Sequence, residues 1–363
     1  MVKKIKTRIF EKFWDKLGSI NLGNKSWVLL ITSVLGLSAM FFLVLTTDIN
    51  EIFEFFSNTT TVLVVLFVLI QVGLMFVLTL RWGLILKSQG HKNVSLFRLN
   101  KYRVAGQSVS FFTPAAKMGG EGIKTRIMAK RESLSYSKAL SSVVLDNVVD
   151  LTASGFFFFI GAIIVLSMNT GLATKVFLGS LVLIFGFVLI LFNYRLFKGK
   201  SLIHSIAKRF GLFKIKKVKV IEKEFKKFDN YLHDFYKKDK KYFFYTIGLS
   251  FISWVLMFLE YYVAGRMLGF KFSVWMIFLI VTLVGIAYLI PIPMALGTLE
   301  AGQISAFSIL SISSAAAIGL SFIIRAKDML IAFWGVGILS FYGFDVNKSL
   351  SKAGIGDEDE FKK

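Results

Sequence analysis

Long apolar runs alternate with polar, mostly basic segments along this chain of 363 residues. Several runs reach the roughly 20 residues that a helix needs to cross the hydrocarbon core of a bilayer. The pattern predicts about eight membrane-spanning helices, near residues 27–47, 61–86, 138–167, 173–194, 242–263, 273–290, 303–324 and 329–344. We therefore expect an all-α integral membrane protein.

The polar segments divide the chain into five parts. A basic N-terminal segment (1–26) precedes the first membrane half (27–194), and a basic segment (195–241) separates it from the second half (242–345) and a polar tail (346–363). Apolar residues in the middle segment recur at steps of three and four, which indicates an amphipathic helix that caps the bundle or lies on the membrane surface. They are Val218, Ile221, Phe225, Phe228, Leu232 and Phe235. A partner-binding coiled coil is the alternative.

The charges predict the orientation of the spans. Lys and Arg accumulate on the cytoplasmic side of membrane proteins. Residues 1–26 hold seven of them, residues 87–131 hold ten and residues 195–241 hold sixteen, whereas 48–60 hold none. We expect a cell-membrane protein with both termini in the cytoplasm. The net charge of +22 then reflects this topology and attraction to anionic membrane lipids, and no nucleic-acid partner is expected.

The three prolines lie in two segments, "FFTPAAKMGGEGIKTR" and "YLIPIPMALGTLEAGQIS". In each segment a glutamate follows a proline by seven residues, Glu121 after Pro114 and Glu300 after Pro293. Helix breakers at membrane depth are tolerated where protein or a wet cavity satisfies the backbone. We expect two re-entrant or broken helices, related by an internal repeat whose halves run parallel. An ordinary cytoplasmic turn is the alternative for each segment.

Five charged residues are expected within the membrane, where each costs about 2.5 to 3.5 kcal/mol if uncompensated. They are Glu121, Asp146, Asp150, Glu300 and Arg325, and Asp146 and Arg325 each follow a proline-segment glutamate by 25 residues. Either they line a polar substrate cavity or they form buried ion pairs between helices. Arg81 is expected to reach the phosphate layer from the end of its span, and Glu260 to pair with Arg266 at a helix end.

Chemistry beyond binding finds no support in the residue pattern. Cysteine is absent, the three histidines are scattered, and no nucleophile lies in a recognisable arrangement with a base. We expect no metal, no other cofactor and no enzymatic activity.

The sequence resembles the lysylphosphatidylglycerol synthase transmembrane-region family, a flippase-like membrane domain, over roughly residues 25–345. It departs from the family at two places. Asp146-Asn147 stands where the family commonly has a Glu-Arg dyad, so an expected cation is missing, and Met294-Ala295 stands where a glycine pair is usual. The resemblance rests on residues in this order: Pro114, Gly119, Gly120, Glu121, Lys124, Asp146, Asp150, Pro291, Pro293, Gly297, Glu300 and Arg325.

The resemblance implies movement of a lipid between leaflets, with a phospholipid, an aminoacylated lipid or a polyprenyl-phosphate lipid as substrate. The expected binding residues are those above, apart from Pro291, with Arg126 added for a phosphate beside Lys124 and Arg325. Glu121→Gln and Glu300→Gln should then leave the protein folded and slow lipid movement. Two alternatives remain: a lipid-binding scaffold for a partner such as a glycosyltransferase or lipid-modifying enzyme, and a lipid-modifying enzyme itself. Lysyl transfer belongs to a separate soluble domain of the synthase, and only a short tail follows residue 345 here.

Overall fold

The structure is a computed structural model, which describes residues 49–57, 59–91, 93–113, 119–167, 172–198, 222–290 and 292–342. The described part of the chain is helical throughout, apart from short turns and one 3-10 turn at Pro293–Ala295. Its helices are α1 (Ile49–Ser57), α2 (Thr61–Ser88), α3 (Leu96–Phe112), α4 (Glu121–Arg131), α5 (Tyr136–Ser167), α6 (Leu172–Phe197), α7 (Glu222–Lys237), α8 (Lys240–Met267), α9 (Val274–Leu289), α10 (Thr298–Ile309) and α11 (Ser314–Phe341). The expected span at 27–47 and both terminal segments lie outside the described residues.

Three helices in the described ranges are long and apolar enough to cross a membrane: α2, residues 136–164 of α5, and α8. They coincide with the predicted spans at 61–86, 138–167 and 242–263. Helices α6 and α9 also lie where spans were predicted. With 16 residues, α9 is about 24 Å long, which is less than the roughly 30 Å of a bilayer core.

Two expectations about span boundaries are wrong. The sequence predicted spans at 303–324 and 329–344, but the chain turns at residues 310–313 and then continues as the single helix α11 through 325–328. Three charged residues at 325–328 resembled a connection, yet Arg325 and Lys327 bond Glu300 and Glu260 on neighbouring helices, so the helix continues. Residues 87–131, expected as a basic connection with one broken segment, contain the well-formed helix α3, much of which is buried.

Helices α2 and α8 run antiparallel. The Thr59 hydroxyl, just before α2, donates to the carbonyl of Met267 at the end of α8 (2.8 Å). At the opposite end, Arg81 of α2 donates to the hydroxyl of Ser250, in the first half of α8 (2.9 Å). We call the end of the bundle with the last turn of α2, the last turn of α4 and the start of α8 the basic end. The other end, where α8 finishes, is the far end.

Two helical hairpins enter the bundle from opposite ends. The first, α3 and α4, starts and finishes at the basic end, where Tyr102 donates to Glu132 across its open side (2.7 Å). The second, α9 and α10, starts and finishes at the far end, and a short turn at residues 310–313 connects α10 to α11. The returning helices α4 and α10 have 11 and 12 residues, about 16 to 18 Å, so neither crosses a bilayer.

Each hairpin packs on the long helix of the other half. Gly335 of α11 lies against the carbonyl of Val104 in α3, and Gly161 of α5 lies against Thr282 in α9. The C-terminal end of α11 is at the basic end, where α5 begins, because Arg131 donates to the carbonyl of Tyr342 (3.5 Å). The two halves therefore have opposite directions. Parallel halves were expected from the charges, and that expectation is wrong because α2, which precedes the first hairpin, runs towards the basic end, whereas its counterpart α8 runs away from it.

Helix α7 confirms the amphipathic pattern from residue 222 onward. Phe228, Leu232 and Phe235 are buried against α5 and α8, so the helix caps the basic end with its apolar face. Burial also raises the pKa of Tyr236, whose hydroxyl donates to Asn193 of α6 (3.0 Å). Val218 and Ile221 lie outside the described residues.

Candidate functional site

Arg81 is the centre of a buried ion cluster between α2, α3 and α5. Its guanidinium donates to Asp146 (2.8 Å) and to Asp150 (2.5 Å), which lie one turn apart on α5. Arg103 of α3 donates to the second oxygen of Asp146 (2.6 Å). The arginine side chain is only 2% exposed. Two cations thus compensate two carboxylates that would otherwise repel one another.

This cluster corrects two expectations. Arg81 does not reach the phosphate layer, because Asp146, Asp150 and Ser250 surround its guanidinium inside the bundle. The cation that seemed absent beside Asp146 comes from Arg81 and Arg103, which precede it by 65 and 43 residues. A pattern along the sequence could not reveal these partners, although the large number of charges within predicted spans was a signal that partners exist.

The two aspartates differ in their surroundings. Asp146 is engaged on both oxygens and its side chain is 6% exposed, whereas the side chain of Asp150 is 44% exposed although it bonds Arg81. A carboxylate that is half-exposed at membrane depth can accept a further hydrogen bond or cation. Of the expected pair, Asp150 is therefore the one that a ligand could contact.

Glu121 and Lys124 form an ion pair on the first turn of α4 (2.8 Å). The other carboxylate oxygen of Glu121 is buried and has no hydrogen-bond partner among the described residues. Arg126 projects from α4 as an exposed side chain. Pro114, also expected here, lies outside the described residues.

The glycine pair brings the start of α4 against α3. The amide of Gly120 donates to the hydroxyl of Ser110 (2.8 Å). A Cβ atom on Gly120 would stand 1.8 Å from the carbonyl oxygen of Gly106, and one on Gly119 would stand 2.0 Å from the hydroxyl of Thr113. These glycines, expected to bind substrate, thus have a packing role that lets the two helices of the first hairpin approach closely.

We expect Gly120→Ala to destabilise the protein, by about 1 to 3 kcal/mol, because the clash is with backbone atoms that no side-chain rotation can relieve. Gly122→Ala is the matched control, since a Cβ there meets nothing within 4 Å and alanine favours a helix. Melting temperatures of the purified variants in detergent measure the difference. Equal melting temperatures for the two variants would contradict the close approach of α3 and α4.

Glu300 and Arg325 form a second buried ion pair, between α10 and α11. The guanidinium bonds both carboxylate oxygens, with its Nη2 at 2.7 Å from Oε2, and both side chains are almost fully buried. Arg325 also donates to the carbonyls of Met294 and Ala295 (3.1 Å each). The equal spacing in the sequence indicated this pair. Because every one of these contacts is internal, Arg325 is not available to a phosphate, which corrects its expected role.

Arg325 also stabilises an unusual turn at the tip of the second hairpin. Met294 and Ala295 have φ values of 55° and 49°, in the left-handed region that costs side-chain-bearing residues about 1 to 2 kcal/mol each. These are the positions where a glycine pair was expected. Gly297 follows with a φ of 73° and Pro293 begins the turn, so both expected binding residues serve the backbone path.

Glu260 pairs with Lys327 of α11 (2.6 Å), and not with Arg266 as expected. Residue 266 is almost two turns further along α8 than residue 260, and this separation along the helix explains the error. This pair links α8 to α11 as the Arg81 cluster links α2 to α5. The corresponding helix pair in each half therefore has an ion contact. The first helix of the pair provides the cation in one half and the carboxylate in the other.

The tips of the hairpins meet in the middle of the bundle. Ser110, Phe111 and Thr113 of the first hairpin and Ile290, Ile292, Met294 and Ala295 of the second border one small crevice, of about 20 Å³. Asp328 and Tyr288 complete it. Those parts of the two proline segments that the structure describes thus lie close together, as the sequence predicted.

A larger apolar cavity of about 370 Å³ lies between α5, α6, α8 and α9. Phenylalanines and Trp254 form much of its wall, and Ser154 of α5 is one of its polar lining residues. The Ser154 hydroxyl donates to the carbonyl of Asp150 (2.8 Å), one turn back on the same face of the helix. No pattern along the sequence predicted this cavity, because its wall combines residues of four separate spans.

Comparison with known families now identifies the chain. Residues 28–339 match the family described as "Lysylphosphatidylglycerol synthase TM region". This range includes every charged residue of both clusters. The chain belongs to this family. Both hairpins and both ion clusters lie within the matched residues of this integral membrane protein.

Three archaeal relatives bear the name UPF0104 membrane protein. The one from Methanothermobacter thermautotrophicus is 23% identical over 348 residues, 90% of this chain and 98% of its own length. The one from Pyrococcus horikoshii is 25% identical over 266 residues, 70% of this chain and 78% of its own. The one from Methanocaldococcus jannaschii is 30% identical over 147 residues, 39% of this chain and 41% of its own. No solved structure matches the chain.

Proposed function

We propose that this protein moves a lipid between the two leaflets of the cell membrane, as a transporter and not as an enzyme. The observation that carries the proposal is the apolar cavity, which has a half-exposed carboxylate next to its edge. Asp150 lies four residues before Ser154 on α5, so both occupy one helix face. A lipid whose acyl chain enters the cavity would have its headgroup beside Asp150.

The inverted arrangement of the halves also supports transport. Inverted repeats that meet at broken helices are common in transporters, which expose a central site to each side in turn. The two hairpins enter from opposite ends, and their tips meet between the two ion clusters. Movement of one hairpin relative to the other would open one end of the bundle while the other stays closed.

The exposed carboxylate favours some headgroups over others. Asp150 attracts a cation or accepts hydrogen bonds from hydroxyls, which favours an aminoacylated lipid or a glycerol- or sugar-bearing lipid over a bare phosphate. Among the expected phosphate contacts, Arg126 is exposed on α4 and Arg325 is enclosed. We propose that Arg126 contacts anionic lipids, with the basic end of the bundle and both termini in the cytoplasm.

A lipid-binding scaffold is the competing proposal. The buried apolar face of α7 leaves its polar face, with Lys226 and Lys227 exposed, at the basic end of the bundle. A lipid-modifying enzyme or glycosyltransferase could dock there and receive a bound lipid. In that case the protein would bind lipid without moving it across the membrane.

Lipid movement in proteoliposomes separates the two proposals. Purified protein would be reconstituted with a panel of fluorescent lipids that carry zwitterionic, glycerol, aminoacyl or polyprenyl-phosphate headgroups, and the fraction that reaches the other leaflet would be measured. We expect movement of at least one class above that in protein-free liposomes. A protein that binds the lipids without moving any of them would support the scaffold.

A matched pair of variants on α6 tests the cavity itself. Val188 lines the cavity, whereas the exposed Leu183 does not. Val188→Phe should fill part of the cavity and reduce lipid movement several-fold, while Leu183→Phe should leave it unchanged. An equal effect of both variants would remove the cavity from the transport path.

A further inference from the structure

The crevice at the hairpin tips contains a carboxylate whose charge is poorly compensated. Among the described residues, the nearest cation to Asp328 is Lys327, at 3.5 Å. The Lys327 ammonium is closer to Glu260, at 2.6 Å, and bonds it directly. Lys327 therefore compensates the charge of Glu260 more strongly than that of Asp328.

A comparison of the two ion clusters identifies a surplus negative charge. In the first cluster, Arg81, Arg103 and Lys124 balance Glu121, Asp146 and Asp150. In the second, two cations face three carboxylates, and the described members are Arg325, Lys327, Glu260, Glu300 and Asp328. One negative charge in the second cluster has no cation of its own, and an uncompensated ion in the membrane interior is costly.

The surroundings of Asp328 suit a small cation. The crevice brings the hydroxyl-bearing residues Ser110, Thr113 and Tyr288 beside this carboxylate, and oxygen ligands bind hard cations. The groups around Asp328 on the packed helices are Lys327 and Arg325 of α11, Glu260 and Tyr261 of α8, Tyr288 of α9 and Glu300 of α10, whereas α3 contributes hydroxyls. All the cations among them already bond carboxylates.

The size of the crevice excludes a lipid headgroup. At about 20 Å³ it holds one water-sized particle, which is too small for an aminoacyl group or a phosphate. A single surplus negative charge also matches a monovalent ion better than a divalent one.

We propose that Asp328 and the hydroxyls at the meeting point of the hairpin tips bind one monovalent cation, Na⁺. The site contacts both hairpins, which belong to opposite halves, so its occupancy favours the arrangement in which the tips meet. On the basis of the proposed function, the ion would then couple to lipid movement. Coupling ions in transporters bind at similar positions, where broken helices meet near the middle of the membrane.

The thermal stability of the purified protein in detergent tests ion binding without any transport. NaCl replaces choline chloride at constant ionic strength, because a ligand that binds only the folded protein raises the melting temperature. We expect a rise of roughly 2 to 5 °C. Asp328→Asn should abolish it, whereas Asp234→Asn, on the exposed surface of α7, should retain it.

A rise with Na⁺ that Asp328→Asn abolishes and Asp234→Asn retains supports the sodium site. If Na⁺ does not change the melting temperature of the wild type, or if Asp328→Asn retains the change, the inference is overturned. Ion binding that persists in a protein that moves no lipid would refute the proposed function and leave this site intact.

Discussion

Replacing Glu300 with glutamine should lower the free energy of unfolding by about 3 to 5 kcal/mol, because it leaves the Arg325 guanidinium buried without a carboxylate. Both side chains are nearly inaccessible, and Arg325 also holds the carbonyls of Met294 and Ala295 in their strained turn. We expect a large fall in the melting temperature in detergent, together with a smaller folded fraction by size-exclusion chromatography. The residue pattern alone had suggested a folded variant with slow transport.

Two further variants distinguish a stranded charge from a general loss of packing. Glu121→Gln removes a carboxylate at the matching position of the first hairpin, where the side chain is more exposed, at 18%, and its stability should change less. The double replacement of Glu300 and Arg325 by leucine removes both charges and should recover part of the loss. Recovery stays incomplete because the turn at residues 294–295 then lacks its hydrogen bonds. A Glu300→Gln protein as stable as the wild type would contradict the structural role of the pair.

The second large effect separates two aspartates that lie one turn apart. Asp146→Asn should destabilise the protein by about 3 to 5 kcal/mol, since Arg81 and Arg103 both bond this buried carboxylate. Asp150→Asn should cost much less, because Asp150 is half-exposed and Arg81 retains Asp146 and Ser250. Its main effect should be on lipid movement, by roughly tenfold, as expected for the loss of one charge-assisted contact of about 1.5 kcal/mol.

Melting temperature and lipid movement are measured on the same preparations, with movement expressed per folded protein. Asp146→Asn should then lower mainly the melting temperature, whereas Asp150→Asn should reduce mainly lipid movement. If Asp150→Asn melts early and its folded fraction still moves lipid at the wild-type rate, then Asp150 is a structural partner of Arg81 only. Asp150 would then no longer define the headgroup position.

Several features of the site were predictable because their causes are local in the sequence. Apolar runs of sufficient length predicted α2, α5, α6, α8 and α9, and residues 222–237 show the amphipathic period of α7. Proline and glycine predicted where the helices would break. The equal spacing from Glu300 to Arg325 and from Glu121 to Asp146 indicated a second intramembrane charge at a matching distance in each half, and Glu300 and Arg325 form an ion pair.

The partners across the bundle depended on the tertiary structure alone. Arg81 meets Asp146 from 65 residues away, Lys327 meets Glu260 from 67 residues away, and neither spacing follows any period of a helix. The pairs Lys327–Glu260 and Arg325–Glu300 allow α11 to continue where hydropathy predicted a break, because a compensated charge no longer needs to leave the membrane.

The direction of the halves was decided in the same way. The sequence by itself determined that the protein is helical, membrane-embedded and broken at two related segments, since length, apolarity and backbone breakers act on neighbouring residues. Only the folded chain decided that the breaks come from opposite ends, that Arg325 is enclosed, and that Asp328 lies where the tips meet. These features depend on which helices pack together, and packing is a property of surfaces that distant segments form jointly.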